Sequence, residues 1–151
     1  MPISVAVESP VSADGRALVA ASQDYLLTVF GPDEIFSMTA EELDDPGIAF
    51  YVARDGVPVG CVASVDCGPY VEVKRLFVPE AGRGRGVARA LMARLEQDAR
   101  AAGKAAVMLE TGNELVAAVT LYQAMGYRVR GPFGDYPEHP ASLFMEKPLV
   151  P

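Results

Sequence analysis

The sequence predicts a mixed α/β fold in which a mostly antiparallel sheet of six to seven strands is flanked by about four helices. Three consecutive segments in the middle of the chain are rich in valine and aromatic residues and are separated by turn residues, as in an antiparallel meander. Apolar residues on both sides of the meander recur with the helical period of about 3.6. A strand, helix and strand then follow, which adds a crossover to the sheet.

The N-terminal third opens with an apolar stretch at residues 3–7 and continues with two predicted helices. The first spans residues 12–30, and one of its faces carries Leu18, Ala21, Tyr25 and Val29. The second is a short helix at residues 40–44, because Thr39 and Glu42 stand three apart as in a capping box.

The predicted meander consists of strands at residues 48–54, 59–65 and 71–78. Asp55-Gly56 and Cys67-Gly68-Pro69 form the two turns between them. The next predicted element is an amphipathic helix from Gly86 to Gly103.

A short strand at residues 105–110 and a helix at residues 114–125 follow, with Asn113 as the predicted N-cap of this helix. Strands at residues 127–130 and 142–146, joined by a loop at 131–140, complete the chain. No repeats or linkers interrupt this order, so residues 1–151 are expected to form a single domain.

Composition narrows the classes of partner. With 20 acidic and 13 basic residues the net charge is −7, which disfavours nucleic acid and is compatible with a cationic substrate. No apolar run is long enough for a membrane span and the N-terminus lacks a signal-peptide pattern, so a cytoplasmic protein without membrane contact is expected. Cys61 and Cys67 lie too far apart on an extended strand for a disulfide, and the single histidine, His139, argues against a metal site.

The most informative segment joins a hydrophobic strand to a glycine-rich turn that opens the amphipathic helix. Backbone N–H groups at such a helix start have no internal acceptor and, together with the positive end of the helix dipole, favour a phosphate. Arg83 and Arg85 add positive charge there. A nucleotide P-loop is disfavoured because Gly-Lys-Ser/Thr does not occur, and the dinucleotide fingerprint lacks its last glycine at Arg89.

Residues 83–88, Arg-Gly-Arg-Gly-Val-Ala, resemble the [Gln/Arg]-x-x-Gly-x-[Gly/Ala] motif of the GNAT acetyltransferase superfamily. The strand at 71–78, the strand ending in Leu-Glu-Thr-Gly at 109–112 and the segment Leu-Tyr-Gln-Ala-Met-Gly-Tyr at 121–127 are similar to the family's successive elements. The resemblance covers roughly the last half of the chain. It implies a GNAT-like fold whose splayed strands form a cleft for acetyl-coenzyme A.

The resemblance also implies which residues hold the coenzyme. The pyrophosphate falls on the motif, and the pantetheine arm pairs with the main chain of the preceding strand. The predicted coenzyme-binding residues are Leu76, Phe77, Val78, Arg83, Gly84, Arg85, Gly86, Val87 and Ala88, with Asn113 as a further contact.

Tyr122 and Glu72 are the candidate catalytic residues. In the family, the tyrosine of the Leu-Tyr pair donates a proton or hydrogen bond to the coenzyme sulfur, although Tyr122 also lies on an apolar helical stripe and fits a purely structural role. Glu72 is a candidate general base, and its alternative is a solvated carboxylate paired with Lys74. Glu110 is a second, weaker candidate base.

The predicted activity is the transfer of the acetyl group of acetyl-coenzyme A to a primary amine by direct attack in a ternary complex. The acceptor is a small amine, an amino acid or a peptide. Two alternatives stay open: a non-catalytic acyl-coenzyme A binding module and a protein lysine or N-terminal acetyltransferase. A homodimer is possible by analogy with the family. The substrate-facing segments are expected at residues 25–37 and 133–140.

Overall fold

The structure is a computed structural model that describes residues 2–35 and 38–149, apart from the side chain of Glu34. The predicted substrate-facing segment 25–37 therefore lies partly outside the described residues. The helices are α1 Ala13–Leu27, α2 Ala40–Leu43, α3 Val87–Ala101 and α4 Val116–Ala124, with 3-10 turns at Pro32–Glu34 and Glu80–Gly82. The strands are β1 Ser4–Val7, β2 Ile48–Asp55, β3 Val57–Asp66, β4 Tyr70–Phe77, β5 Ala106–Gly112, β6 Arg128–Arg130 and β7 Ser142–Pro148.

The seven strands form one sheet in the order β1-β2-β3-β4-β5-β7-β6. Strands β1 to β4 pair antiparallel, as do β5 with β7 and β6 with β7. Strands β4 and β5 pair parallel, because the intervening α3 returns the chain to the same end of the sheet. The predicted fold class, a mostly antiparallel mixed sheet with four helices, is confirmed.

Two apolar cores lie on opposite faces of this sheet. Strand β2 illustrates the division, since Tyr51 and Ala53 belong to the core that contains α3, whereas Phe50 and Val52 belong to the core that contains α1 and α2. This is the alternation that a period of two requires in a strand covered on both sides. The α3 face also contains Tyr122 of α4, so α3 and α4 share one side of the sheet.

Several predicted boundaries are wrong at the ends of elements. Helix α1 ends at Leu27 rather than near Phe30, and Thr28 terminates it with its hydroxyl donating to the Tyr25 carbonyl at 2.6 Å. The predicted capping box of Thr39 and Glu42 is confirmed.

Asn113 is not the N-cap of α4. Strand β5 stays paired with β7 as far as Gly112, so Asn113 lies directly after the strand and α4 begins only at Val116. The Asn113 side chain instead donates to the Pro140 carbonyl at 2.8 Å, and its backbone N–H donates to Ala141 at 3.0 Å. Asn113 therefore ties the end of β5 to the loop at 131–140.

Both cysteines are free thiols, Cys61 buried and Cys67 partly buried, as predicted. Within the ranges that the structure describes, no helix is long and apolar enough to cross a membrane.

Candidate active site

A cavity of about 620 Å³ opens where β4 and β5 separate. The parallel register between them runs from Tyr70 opposite Ala106 to Val73 opposite Leu109. Beyond that point β4 continues to Phe77 and β5 to Gly112, and residues of both strands line the gap. This space, called the splay cavity below, reaches the start of α3 at one end and the C-terminal part of α1 at the other.

A bulge in β4 lies beside the splay cavity. Cys61 pairs with Phe77 and Ala63 with Lys74, so β4 carries one residue more than β3 between these pairs. Arg75 occupies the bulge with φ of +55°, a left-handed conformation that is rare outside glycine. The extra residue reverses the alternation of the strand, because Val73 packs in the α3 core whereas Phe77 packs in the α1 core.

The glycine turn closes one end of the splay cavity. Gly84 and Gly86 both have φ of +76°, and a Cβ atom added at either would meet no protein atom within 4 Å. Gly86 is the N-cap of α3, whose first amides have no acceptor within the helix. Gly84, Gly86, Val87 and Ala88 all line the splay cavity, so this end offers backbone donors to open space.

Three arginines follow one another around this turn and have different roles. Arg83 lines the splay cavity, donates from Nε to the Val78 carbonyl at 3.2 Å and lies over the Tyr25 ring at 5.5 Å. Arg85 forms an ion pair with Asp55 and is not among the described residues that line the cavity. Arg89, in the first turn of α3, does line it, although it is not among the coenzyme-binding residues that the sequence predicts.

The predicted pantetheine-binding residues Leu76, Phe77 and Val78 all line the splay cavity immediately after the bulge. Asn113, in contrast, is absent from the described lining, although Glu114 and Leu115 are part of it. The bonds of Asn113 to residues 140 and 141 account for this position.

Tyr122 lines the same cavity from α4 and is only 5% exposed. Its ring packs against Tyr127 with centroids 5.7 Å apart, so it is also a member of the α3 core. Within the described chain its hydroxyl has no hydrogen-bond partner. Burial raises the pKa of Tyr122, and the nearby charge of Glu110 raises it further. The side chain therefore remains a neutral donor.

Glu72 lies beside the splay cavity but not in its described lining. Its carboxylate accepts a hydrogen bond from the Tyr136 hydroxyl and lies 3.2 Å from the Lys74 ammonium. The ion pair with Lys74, which belongs to the alternative role of Glu72, is present, but Glu72 is not solvated, because it is 9% exposed beneath the loop at 131–140.

Glu110 is the carboxylate of β5 that lines the splay cavity. It follows Leu109, the last residue of β5 paired with β4, and is half-buried. Burial raises the pKa of Glu110 above its ordinary value, while a hydrogen bond with Ser142 and the charge of Lys74 oppose that rise.

The far end of the splay cavity is mainly apolar. Its wall on the α1 side is formed by Ser22, Tyr25, Leu26, Phe30 and Ile35. The Phe30 ring occupies the position that a side chain at residue 112 would need, so Gly112 permits this close approach.

The loop at 131–140 contributes only indirectly. Phe133 and Tyr136 pack edge-on against Phe144, and Phe133 also packs against Tyr70. None of its described residues lines the splay cavity, but Tyr136 bonds to Lys74, which does. The described residues contain no group of three or more histidine, cysteine or acidic side chains that could hold a metal ion.

Comparison with known sequences gives a consistent result. The sequence model of the acetyltransferase (GNAT) family matches residues 16–127. The chain is 41% identical over 150 residues to the IAA acetyltransferase of Azospirillum brasilense, covering 97% of this chain and 98% of that protein. It is 31% identical over 142 residues to the uncharacterized N-acetyltransferase YsnE of Bacillus subtilis, covering 89% and 94% of the two chains.

Solved structures share the whole fold. A protein assigned as an acyl-CoA N-acyltransferase from Klebsiella pneumoniae superposes with a TM-score of 0.83 at 30% identity, over 98% of both chains. The PaiA N-acetyltransferase of Thermoplasma acidophilum, solved in complex with coenzyme A, gives a TM-score of 0.78 over 98% of this chain and 99% of that one. At 16% identity this second likeness concerns the fold alone.

Proposed function

Because the chain belongs to the GNAT family of acetyltransferases, we propose that it transfers the acetyl group of acetyl-coenzyme A to a primary amine by direct attack within a ternary complex. The observation that carries the proposal is the splay cavity, which joins the glycine turn, the edge of β4, Tyr122 and Glu110 in one continuous space. The family shows that the protein is an acyltransferase. The amine acceptor and the direct attack in a ternary complex are what we propose.

The described residues fit acetyl-coenzyme A. Open space at the Cβ positions of Gly84 and Gly86 lets a diphosphate approach the amides at the start of α3, and Arg83 and Arg89 are the cations that line this end. Beyond the bulge, the main chain of residues 76–78 borders the gap and is available to the amide groups of a pantetheine arm. We propose that Arg85 is held by its ion pair with Asp55 and does not bind the coenzyme.

Bound acetyl-coenzyme A supplies the thioester carbonyl that the amine attacks. We propose that the Tyr122 hydroxyl donates its proton to the sulfur as the thiolate leaves, since it is neutral, lines the cavity and is unbonded within the described chain, and that the proton released by the amine restores the hydroxyl. Glu110 is the better placed group to accept the amine proton, because it lines the cavity and Glu72 does not. Glu72 is bonded to Tyr136 and Lys74, and we assign it to holding Lys74 and the loop in place.

Direct attack is favoured over an acyl-cysteine intermediate. Cys61 is fully buried, and burial raises the pKa of its thiol to about 12, so little nucleophilic thiolate forms at neutral pH. Neither Cys61 nor Cys67 belongs to the described lining of the splay cavity. Orientation of the two substrates and charge stabilisation then supply most of the rate increase.

The wider predictions accompany this proposal. A small amine, an amino acid and a peptide amine are all compatible acceptor classes, and a relative that is 41% identical to this chain is named IAA acetyltransferase. The single domain, the homodimer and the cytoplasmic location stay predictions.

The proposal is tested by measuring thiol release from acetyl-coenzyme A with a panel of amines. We expect acceptor-dependent release with initial-rate patterns that intersect, as in a sequential mechanism. Parallel lines, which indicate a ping-pong mechanism, or release that no amine stimulates would contradict direct transfer to an amine.

Tyr122→Phe is the matched variant for the proton donor. It should lower kcat by about 100-fold, the usual scale of general acid catalysis, while the Kd of the coenzyme stays within about twofold. Tyr127→Phe is the control, because that buried hydroxyl donates to Glu96 at 2.8 Å, and it should change stability more than kcat. Equal kcat values for wild type and Tyr122→Phe would remove Tyr122 from the mechanism.

A further inference from the structure

We propose that the acceptor is an amino acid or similar amino-carboxylate, whose carboxylate is bound by Arg75 while its amine faces Glu110. This inference rests on the proposed function and narrows its acceptor class. It is carried by the conformation of Arg75, by the partners of its guanidinium and by the charges of the splay cavity.

The bulge in β4 directs Arg75 toward the α1 side of the splay cavity. The part of the cavity between this α1 wall and Glu110 of β5 is called the acceptor end below. In a regular strand Arg75 would follow Val71 and Val73 onto the α3 face, since residues two apart share a face. Its φ of +55° and the extra residue instead bring its guanidinium to the α1 side, where it contacts Ser22 and Gln23. Residues held in this conformation carry backbone strain and cluster at functional sites.

The guanidinium of Arg75 is bonded only to neutral acceptors within the described chain. Nε donates to the Met38 carbonyl at 2.9 Å, Nη1 to the Ser22 hydroxyl at 3.2 Å and Nη2 to the Gln23 side-chain oxygen at 2.8 Å. These bonds use three of the five N–H donors that a guanidinium carries, so two are unbonded within the described chain. Glu42 is a nearby carboxylate, but its Oε1 accepts from the Thr39 N–H in the capping box.

Comparison with Arg54 shows what is unusual about Arg75. Arg54 bonds to both Glu8 and Asp14, which raise its pKa. Arg75 is half-buried, and burial lowers its pKa because the desolvation of its charge outweighs the attraction of Cys61 and Glu42. A partly desolvated cation on a cavity wall is expected to gain from an anionic ligand, and a carboxylate matches the fork of a guanidinium.

The acceptor end has the Arg75 cation on one strand and the Glu110 carboxylate on the neighbouring strand. Arg75 lines the splay cavity from β4 and Glu110 lines it from β5, beyond the point where the two strands separate. Lys74, which also lines the cavity, is engaged by Glu72 and Tyr136. An amino acid has the complementary charges, and its side chain would pack on the apolar wall that includes Tyr25 and Phe30.

The test compares each amino acid with the amine obtained by replacing its carboxylate with hydrogen, for example phenylalanine with 2-phenylethylamine. Wild-type kcat/KM should be about 10- to 100-fold higher for the amino acid of the best-accepted pair, the scale of charge-assisted hydrogen bonds. Arg75→Gln should abolish that preference by raising KM for the amino acid, with the rate for the decarboxylated amine unchanged. A purely structural role of Arg75 would lower both rates equally.

Arg16→Gln is the control, because it removes a nearby cation that is paired with Glu41 and lies outside the described lining of the splay cavity. Wild type alone can overturn the inference, whether or not Arg75→Gln folds. If wild type acetylates decarboxylated amines as well as the amino acids, carboxylate recognition is wrong while the proposed function stands. If wild type acetylates no amine, the proposed function itself fails.

Discussion

The two ends of the splay cavity are built in different ways. The coenzyme end comes from one continuous segment, residues 76–89, in which a strand, a glycine turn and the first turn of α3 follow each other directly. The acceptor end is assembled from α1, the β4 bulge and the end of β5. These three segments are distant in sequence, since their lining residues extend from Ser22 to Thr111.

This difference separates two kinds of recognition. At the proposed coenzyme end, the donors are backbone amides next to glycines whose Cβ positions face open space, with Arg83 and Arg89 beside them, so we expect a diphosphate to be recognised mainly by the conformation of the chain. At the acceptor end, the proposed recognition depends on side chains such as Arg75 and Glu110, whose positions are set by neighbouring elements. We therefore expect substitutions at the two ends to affect coenzyme affinity and acceptor kinetics separately.

The largest expected effect is at the coenzyme end. Gly86→Ala should raise the Kd of coenzyme A by about 100-fold, on the scale of two lost charge-assisted hydrogen bonds, because the new methyl group occupies the space next to the amides. Isothermal titration calorimetry measures this change.

Gly103→Ala is the matched control for that variant. Gly103 follows the other end of α3, has φ of +77° and also has open space around its Cβ position. Both variants place alanine in a left-handed conformation, which costs about 1–2 kcal/mol of stability. Equal losses of coenzyme affinity in the two would mean that strain, rather than contact with the ligand, explains the effect.

The second effect concerns the acceptor end and its pH dependence. Burial raises the pKa of Glu110, so protonation as the pH falls through that raised value should remove the base and lower kcat/KM. Glu110→Gln should lower kcat/KM by about 30-fold and remove most of this decrease of kcat/KM at low pH, the acid limb of the pH profile. Glu72→Gln, on the neighbouring strand but outside the described lining, should keep the acid limb. An acid limb that disappears in Glu72→Gln would assign the base to Glu72.

The same pKa shift has a consequence for stability. A carboxyl group with a raised pKa in the folded state binds more protons there than in the unfolded chain, so stability falls as the pH rises from the ordinary value of 4.5 through the raised one. Above both values the cost is fully present. Glu110→Gln should therefore raise Tm slightly at neutral pH while it lowers activity, and thermal unfolding at several pH values measures this.

The smallest effect distinguishes two arginines of the coenzyme end. Arg89→Ala should raise the Kd of coenzyme A by about 10-fold, as expected for one charge-assisted contact with a phosphate. Arg85→Ala should change it by less than about twofold, because Arg85 is paired with Asp55. The opposite order would restore the interpretation from the motif alone, in which Arg85 binds the phosphate.

The sequence pattern predicted an element correctly where that element depends only on residues a few positions apart. The capping box at Thr39 and the glycine turn before α3 were recognisable because capping and left-handed turns depend on residues a few positions apart. Asn113 failed as an N-cap for the opposite reason, since the pairing of β5 with β7 extends the strand and carries Asn113 to residues 140 and 141.

The candidate site shows the same division. Tyr122 and residues 76–78 were expected from the sequence and all line the splay cavity, whereas the motif gave no means of distinguishing Arg85 from Arg89. Helical spacing from Gly86 was the available signal, because it places Arg89 in the first turn of α3 next to the turn amides.

By itself, the sequence determined the order of strands and helices, the glycine turn before α3 and the tyrosine that lines the same cavity, because periodicity and turn chemistry act over a few residues. Only the tertiary structure decided which carboxylate lines the cavity and where Arg75 points. The physical reason is that one extra residue in β4 reverses the direction of the side chains that follow, and the residues that line the cavity together, such as Ser22, Arg75 and Glu110, are distant in the chain.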